Sequence, residues 1–273
     1  MKNFLVAFLS LLLISSTAFA YDDLLAFTVD SMVNEQGSKG IIGGLVYHNA
    51  GDTFDNDSEK QSLADDMTTI RVPIVAGCTP RENLGVFAIL PIVSMDNGVD
   101  TESGIGDIWL GAKYAVMPQG LFTVRGALNL GTGDDEKGLG NAGGFGLDLA
   151  VQHQKPIIEN LLIGRAQAGI RWMGEDSETK WQPGMGLYAK AGLLYQVKRM
   201  GLLHCGFELM TAGEGSNDGN DVDDSNTMDL DLQVGFIKML SASYGFHAGF
   251  DIPVAGTNVN AEMGFGLAGW YSF

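Results

Sequence analysis

Hydrophobic and polar residues alternate along most of the chain, which is the pattern of strands that bury one face. In IGDIWLGAKYAV, Asp107 and Lys113 lie on one face of the predicted strand, and Leu110 and Tyr114 lie on the other. The same alternation recurs down the sequence, with little helical periodicity. It predicts twelve strands, at residues 41–48, 67–76, 83–93, 105–116, 121–131, 144–153, 161–172, 185–197, 201–211, 227–238, 243–253 and 260–273.

The connections between these strands alternate between long and short. The short ones include Met117–Gly120 and Lys198–Met200. The long ones are Asn49–Asp66, Ser94–Gly104, Thr132–Gly143, Met173–Gly184 and Thr211–Asn226. Strands of about 9–12 residues joined in this way are typical of a transmembrane barrel, whereas strands of soluble sheets average about 5–6 residues. The sequence therefore predicts an all-β fold, a single antiparallel transmembrane β-barrel of about twelve strands, over a soluble sandwich.

The N-terminus has the organisation of a cleaved signal peptide. Lys2 precedes an apolar run from Phe4 to Ile14, and Ala18-Phe19-Ala20 provides a small-residue cleavage site. We therefore expect a signal peptide over residues 1–20, an N-terminal periplasmic or lumenal segment over 21–40 that could act as a partial plug, and the barrel over 41–273. No later stretch has the roughly 20 apolar residues that a membrane-spanning helix requires.

The charged residues determine which face of each strand points inward. An Arg or Lys on the lipid-facing side costs about 2–4 kcal/mol at the middle of the bilayer, so the polar faces must turn toward the lumen. The predicted lumen-lining residues are Arg71, Asp107, Lys113, Arg125, Asp148, Arg165, Arg171, Lys190, Glu208, Asp229, Asp231, Asp251 and Glu262.

Apart from Asp107 and Asp148, the basic and acidic members of this set come from different strands. Basic residues are on the second, fourth, fifth, seventh and eighth predicted strands, and Glu208 and the later acidic residues are on the ninth to twelfth. Closing the sheet would place a basic wall opposite an acidic wall, with a transverse field that favours polar or zwitterionic solutes. In the alternative interpretation, salt bridges fill the lumen and only stabilise the barrel.

The acidic composition argues against nucleic acids as partners and raises the question of cation binding. Asp and Glu total 33 against 16 Lys and Arg, so the basic surface that nucleic acids require is absent. Acidic residues concentrate in the predicted outer loops, which are either simply solvated or bind divalent cations such as Ca²⁺, alone or together with lipopolysaccharide phosphates. The closest match to a calcium loop is formed by Asp218, Asp221, Asp223 and Asp224, without EF-hand spacing.

No catalytic arrangement emerges from the sequence. A barrel hydrolase needs a nucleophile, a histidine and an orienting group within reach of each other. The four histidines are His48, His153, His204 and His247; alternation turns His204 and His247 toward the lumen, and His48 near Asp52 is the nearest approach to a rim site. We therefore expect no enzymatic activity and no cofactor.

The C-terminus resembles the signal that outer-membrane proteins present to the barrel-assembly machinery. The chain ends on an aromatic residue, and alternate positions carry apolar side chains; the residues assigned to this signal are Phe265, Leu267, Tyr271 and Phe273. The resemblance implies the outer membrane of a bacterium with two membranes as the location, with lipid, lipopolysaccharide and the assembly machinery as partners.

Three segments resemble the outer-membrane transporter family called "MetA-pathway of phenol degradation". They are GIGDIWLGAKY (Gly104–Tyr114), GTGDD (Gly131–Asp135) and GLDLAV (Gly146–Val151). The resemblance implies a twelve-stranded barrel that passes small, often aromatic, molecules, and it implies no catalytic residues. We therefore expect a passive, porin-like channel for small solutes with a polar lumen. The alternative is a surface barrel that does not transport and uses its acidic loops for structure, adhesion or binding of cations and lipopolysaccharide.

Overall fold

The computed structural model describes residues 36–96, 98–117, 121–134, 137, 139–140, 144–176, 180–198, 200–241 and 243–273. The predicted signal peptide, and the segment after it up to residue 35, lie outside the described residues. The strands are β1 (Lys39–Phe54), β2 (Lys60–Arg81), β3 (Leu84–Asp96), β4 (Thr101–Ile105), β5 (Trp109–Ala115), β6 (Phe122–Asn129), β7 (Gly146–Ile158), β8 (Leu162–Met173), β9 (Trp181–Gln182), β10 (Gly186–Val197), β11 (Gly201–Ala212), β12 (Ser216–Asn217), β13 (Asn220–Asp221), β14 (Thr227–Met239), β15 (Tyr244–Thr257), β16 (Val259–Asn260) and β17 (Met263–Ser272).

These strands form a closed antiparallel barrel. Each long strand pairs with its neighbours in the chain, and β1 closes the sheet by pairing with β2 on one side and β17 on the other. β4 and β5 both pair with β3 and together take the place of one strand in the barrel. Counted in this way, the described residues contain twelve barrel strands. Among the described residues, each of the long strands pairs on both sides, as hydrocarbon requires of a backbone that crosses it. The predicted fold class and strand number are confirmed.

Two predicted connections are wrong because the strands continue into them. The predicted loop Asn49–Asp66 is a hairpin in which β1 and β2 pair as far as Phe54 and Lys60, and Lys60 forms an ion pair with Asp52 at 2.8 Å. Likewise, β3 and β4 continue into the predicted loop Ser94–Gly104. The polar composition of these segments suggested loops, but strands that extend past the membrane surface can carry polar residues on both faces.

The tip of the β1–β2 hairpin is held by one carboxylate. Asp55 Oδ1 accepts hydrogen bonds from the backbone amides of Glu59 (2.8 Å) and Asp57 (3.0 Å). The bond from the Glu59 amide is the main cause that lowers the pKa of Asp55 below its ordinary value, and Gln61 contributes in the same direction. A five-residue connection, Asp55–Glu59, is therefore sufficient to reverse the chain.

The outer surface of the barrel is apolar. Large hydrophobic side chains that alternate with inward residues are 38–52% exposed on many strands, among them Leu45, Leu149, Phe207, Phe250 and Tyr271. Phe265 and Leu267 also lie on this face, where Phe265 and Phe250 pack with ring centroids 5.2 Å apart. Within the described residues there is no helix of the length and hydrophobicity needed to cross a membrane.

The lipid-facing orientation of these apolar side chains can be tested by placing a charge on the outer surface. Val151 is 44% exposed on β7, next to the inward residue Gln152. We expect Val151→Arg to lower the free energy of unfolding by about 2–4 kcal/mol in lipid, because it places a cation in hydrocarbon. Val151→Leu is the matched control and should change it little. The measurement is urea unfolding of the protein folded into vesicles, and equal stability of the two variants would contradict the outward orientation of β7.

Candidate functional site

A belt of charged and hydrogen-bonding side chains runs along the inside of the barrel. Cross-strand pairs connect its members: Asp148 lies opposite Arg171, and Glu208 lies between Lys190 and Asp231. Most of these residues are buried among side chains of the lumen. Of the residues assigned to the lumen from the sequence, Asp107, Lys113, Arg125, Asp148, Arg165, Lys190, Glu208, Asp231 and Asp251 are buried, and Arg71, Arg171, Asp229 and Glu262 are half-buried.

One carboxylate organises the basic side of the belt. Asp148 is completely buried and accepts hydrogen bonds from Arg125 (2.6 Å), Tyr188 (2.9 Å) and Arg171 (3.2 Å). Arg125 also donates to the Tyr188 hydroxyl at 2.7 Å, and the Arg171 guanidinium lies 5.7 Å from the centre of the Tyr188 ring. One buried and one half-buried guanidinium group therefore share a single carboxylate, whose negative charge stabilises both.

A second ion pair marks the change from the basic to the acidic side. Lys190 Nζ lies 2.6 Å from Glu208 Oε1, and both side chains are almost fully buried. Gln233 donates a hydrogen bond of 3.0 Å to the other oxygen of Glu208. Glu208 lies directly opposite Asp231, and this juxtaposition of like charges would be unfavourable without Lys190.

Asp107 anchors an outer loop. Its carboxylate accepts hydrogen bonds from Asn129 Nδ2 (3.0 Å) and from the backbone amide of Gly133 (2.8 Å) in the connection after β6. Leu139 from the same connection is buried against Gly104 and Gly106. Asp107 therefore holds this loop against the wall at the break between β4 and β5.

A cavity of about 330 Å³ lies beside the acidic part of the belt. Asp229 and Asp231 follow directly after the connection that contains β12 and β13, and Glu262 lies in the last connection, so the cavity is toward the end of the barrel that carries the longer loops. His48 Nδ1 and Glu262 Oε2 are 3.1 Å apart on its wall. The complete lining is His48, Arg71, Asp229, Asp231, Asp251, Val259, Asn260 and Glu262.

Part of the lumen is apolar, which the sequence analysis did not predict. The inward positions of β3 include Phe87, Ile89 and Val93, all of which are buried. Phe87 and Ile89 belong to a cluster that also contains Ile42, Val46, Val75, Trp109, Ala127, Leu194, Leu202, Ile237, Ala268 and Trp270. The interior therefore has a basic side on β5–β10 and an acidic side on β11–β15, and its apolar residues are most frequent on β1–β3 and β17 but also occur on other strands.

Two inward histidines, His204 and His247, meet inside the barrel. Their Nε2 atoms are 2.7 Å apart, and both rings are buried. The two residues come from β11 and β15, so the contact passes over Gly235 of the intervening strand β14. The His204 ring occupies the space that a Cβ atom on Gly235 would need. Glycine here allows an imidazole to lie flat against the wall.

The loop residues proposed for Ca²⁺ do not form a cluster. Asp218, Asp221, Asp223 and Asp224 are all exposed around the β12–β13 hairpin. Among the residues that the structure describes, no three Asp, Glu, His or Cys side chains are arranged to hold a metal ion. Cation binding by these loops remains a prediction.

Several interior residues with clear roles were missed by the sequence analysis. Tyr188 and Gln233 bond to the central carboxylates, and Trp109 is completely buried beside Arg171, at 6.0 Å from ring centre to guanidinium. Alternation already places Trp109 and Gln233 on the charged faces, but the lumen residues predicted from the sequence were chosen by formal charge, so these two and Tyr188 were not among them. A search for every polar or aromatic residue on the charged faces would have found them.

The role of Asp148 can be tested by removing its charge. Asp148→Asn leaves Arg125 and Arg171 without their shared carboxylate, so we expect a loss of about 3–5 kcal/mol in the free energy of unfolding. Tyr188→Phe removes one neutral partner of the same carboxylate and should cost about 1 kcal/mol. Denaturant unfolding in detergent micelles measures both, and a smaller effect of Asp148→Asn than of Tyr188→Phe would contradict this organisation.

The packing of His204 over Gly235 makes a separate prediction. Gly235→Ala introduces a methyl group into the space occupied by the imidazole, so we expect a loss of about 1–3 kcal/mol in unfolding free energy. Gly43→Ala is the control, because a Cβ atom there meets nothing within 4 Å. The same unfolding measurement compares the two variants, and equal effects would show that the close contact is not required.

Comparison with known proteins agrees with this architecture. An outer membrane channel from Pseudomonas putida F1 has a TM-score of 0.76 and 18% sequence identity, over 89% of this chain and 98% of that one. The translocator domain of the autotransporter NalP from Neisseria meningitidis has a TM-score of 0.50 and 13% identity, over 92% of this chain and 93% of that one. At these identities the likeness concerns the fold.

The sequence itself is matched by a family model. No curated protein sequence is significantly similar to this chain. The model described as "Putative MetA-pathway of phenol degradation" matches residues 50–268, which is most of the chain and includes the three segments that suggested the resemblance. The chain belongs to this family of β-barrel proteins.

Proposed function

We propose that the protein is an outer-membrane channel that passes small solutes passively through the barrel interior. The observation that carries this proposal is the cavity of about 330 Å³ inside a closed barrel, lined mainly by charged and polar side chains and lying toward the end with the longer loops. A polar cavity within an apolar outer wall is suited to a hydrated solute that must cross a membrane.

The family description and the apolar stretch indicate the kind of solute. The family is named after a pathway of phenol degradation. In the barrel interior, the buried rings of Phe87, Trp109 and Trp270 lie on the same inner surface as the charged belt. A small aromatic molecule with a polar group could contact both kinds of surface. We therefore propose small aromatic molecules that carry a polar substituent as solutes.

Two segments of the sequence support a proposal for the route to the membrane. We propose export by a signal peptide cleaved after Ala20, and folding by the barrel-assembly machinery through the C-terminal aromatic signal that ends at Phe273. Lipopolysaccharide would surround the end with the longer loops. The channel would need no cofactor and would catalyse no reaction.

A second candidate function is a surface barrel that does not transport. It is favoured by the tight pairing within the belt, where Asp148 and Glu208 join basic partners at 2.6 Å and strengthen the wall. The exposed acidic residues of the β12–β13 hairpin would then bind cations or lipopolysaccharide. The two functions differ in permeability, because a barrel of this kind would admit no solute.

Solute flux through the cavity provides the test. We expect the folded protein to conduct ions in planar bilayers and to allow swelling of liposomes in solutions of small phenols. Asn260→Trp places a large ring in the cavity lining and should lower both rates. Leu267→Trp is the control, since it adds the same ring on the lipid-facing surface and should leave both unchanged.

The outcomes separate the two candidates. A wild-type protein that folds but neither conducts nor allows swelling would overturn the channel and favour the surface barrel. Flux that is insensitive to Asn260→Trp would contradict this cavity as the route.

A further inference from the structure

We propose that Asn258 is a positioning residue of the channel entrance. Its side chain joins three outer connections beside the cavity, and this junction keeps the entrance at a constant width while solutes pass. The three connections are the tip of the β1–β2 hairpin, the segment between β13 and β14, and the residue between β15 and β16, which is Asn258 itself. The inference rests on the proposed function, because it concerns the route of solutes into the same cavity.

The side-chain amide of Asn258 donates hydrogen bonds to the other two connections. Its Nδ2 atom lies 2.9 Å from the carbonyl oxygen of Asp224 and 3.0 Å from that of Asn226, both between β13 and β14. The same atom lies 3.3 Å from Oδ1 of Asn56, at the tip of the β1–β2 hairpin. Since a primary amide has two N–H groups, the two shorter bonds use both, and Asn56 shares one of them.

The backbone around Asn258 binds the same hairpin tip. The φ angle of Asn258 is 52°, in the left-handed region that Asn and Gly adopt more readily than other residues. Its backbone amide donates to the carbonyl oxygen of Asp55 at 3.3 Å. The hydroxyl oxygens of Thr257 and Ser58 are 2.7 Å apart. The chain at the end of β15 therefore contacts the tip through main-chain and side-chain atoms.

The joined connections belong to strands that are not neighbours in the wall. Between β14 and β1 lie β15 and β17. The β1–β2 tip therefore reaches past the outer ends of two strands to meet the segment before β14. The cavity is lined from β1, β2, β14, β15 and the connection between β15 and β17. The junction at Asn258 thus lies at the outer rim of the part of the barrel that contains the cavity.

The junction is continuous with residues of the cavity lining. Val259 and Asn260 follow Asn258 directly, and both line the cavity. They pair with Phe54 and Thr53 at the outer end of β1, and Thr53 Oγ1 donates to the Val259 carbonyl oxygen at 2.9 Å. A movement of this connection or of the hairpin tip would therefore change the width of the entrance.

Loss of the Asn258 side chain should release the hairpin tip from the segment before β14 and leave the barrel wall intact, because its bonds lie outside the wall. Loss of the two short hydrogen bonds should increase the population of separated connections by about tenfold. Separated connections can move over the cavity, so we expect the entrance to narrow intermittently.

Single-channel recording in planar bilayers detects such narrowing as brief drops in current. Asn258→Gly removes the side chain and retains the left-handed backbone conformation, and we expect the fraction of time at reduced current to rise about tenfold. Asn258→Asp has nearly the same size but no N–H donor, and should act in the same direction. The matched control is Asn160→Gly, since Asn160 has a φ angle of 57° in the short turn between β7 and β8, at the opposite end of the barrel.

A covalent link provides a second, reversible test. Ser58→Cys with Thr257→Cys places two thiols where the hydroxyl oxygens are 2.7 Å apart, in a background where Cys78→Ser and Cys205→Ser remove the native thiols. Combined with Asn258→Gly, the oxidised pair should restore the steady current of wild type. Dithiothreitol should bring the drops in current back.

The outcomes separate this inference from the channel itself. Steady current in both Asn258 variants, or equal drops in current in Asn160→Gly, would overturn the role of Asn258 while the channel stands. Drops that persist after the disulfide has formed would also overturn it, because the hairpin tip would then not be the part that moves. A folded wild type that passes neither ions nor small phenols would overturn the channel, and this inference with it.

Discussion

The hydrocarbon of the membrane imposes the constraint on which this structure depends. Backbone groups and ionised side chains cannot be hydrated there, so the sheet must close and every charge within the membrane must turn inward. Closure between β1 and β17 satisfies the first requirement. The second requirement concentrates charge in a narrow interior, where unlike charges must be placed side by side. The belt of ion pairs is therefore a consequence of membrane insertion, whatever the barrel transports.

The small residues of the chain allow this interior to be packed. The His204 ring occupies the space above Gly235, and the Tyr188 ring occupies the space above Gly169 on the neighbouring strand β8. In each case a large inward side chain lies flat against a wall position that has no side chain. Tyr188 can reach Asp148 from this position. Glycines at inward positions thus serve the packing of the lumen.

The fold could be predicted well from the sequence because apolar and polar residues alternate at every second position in nearly every strand. The sequence placed Asp148 and Arg171 on the inward face, but it could not pair them, since their contact depends on the register between β7 and β8. Asn49–Asp66 was predicted to be a loop because strand residues outside the membrane can be polar on both faces. Without apolar residues at alternate positions, nothing in the sequence marks such a segment as a strand. The apolar inward face of β3 was missed for a related reason. Pro91 and Val93 follow the alternation, but the intervening residues are equally apolar, so no polar face marked the lumen.

The separation of charge around the barrel has a consequence for transport. Arg125 and Arg171 contact Asp148, and Lys190 contacts Glu208, so these carboxylates reduce the field that the three cations exert on an entering solute. The carboxylate that stabilises each buried cation therefore also reduces its influence on the solute, and stability and selectivity depend on the same ion pairs.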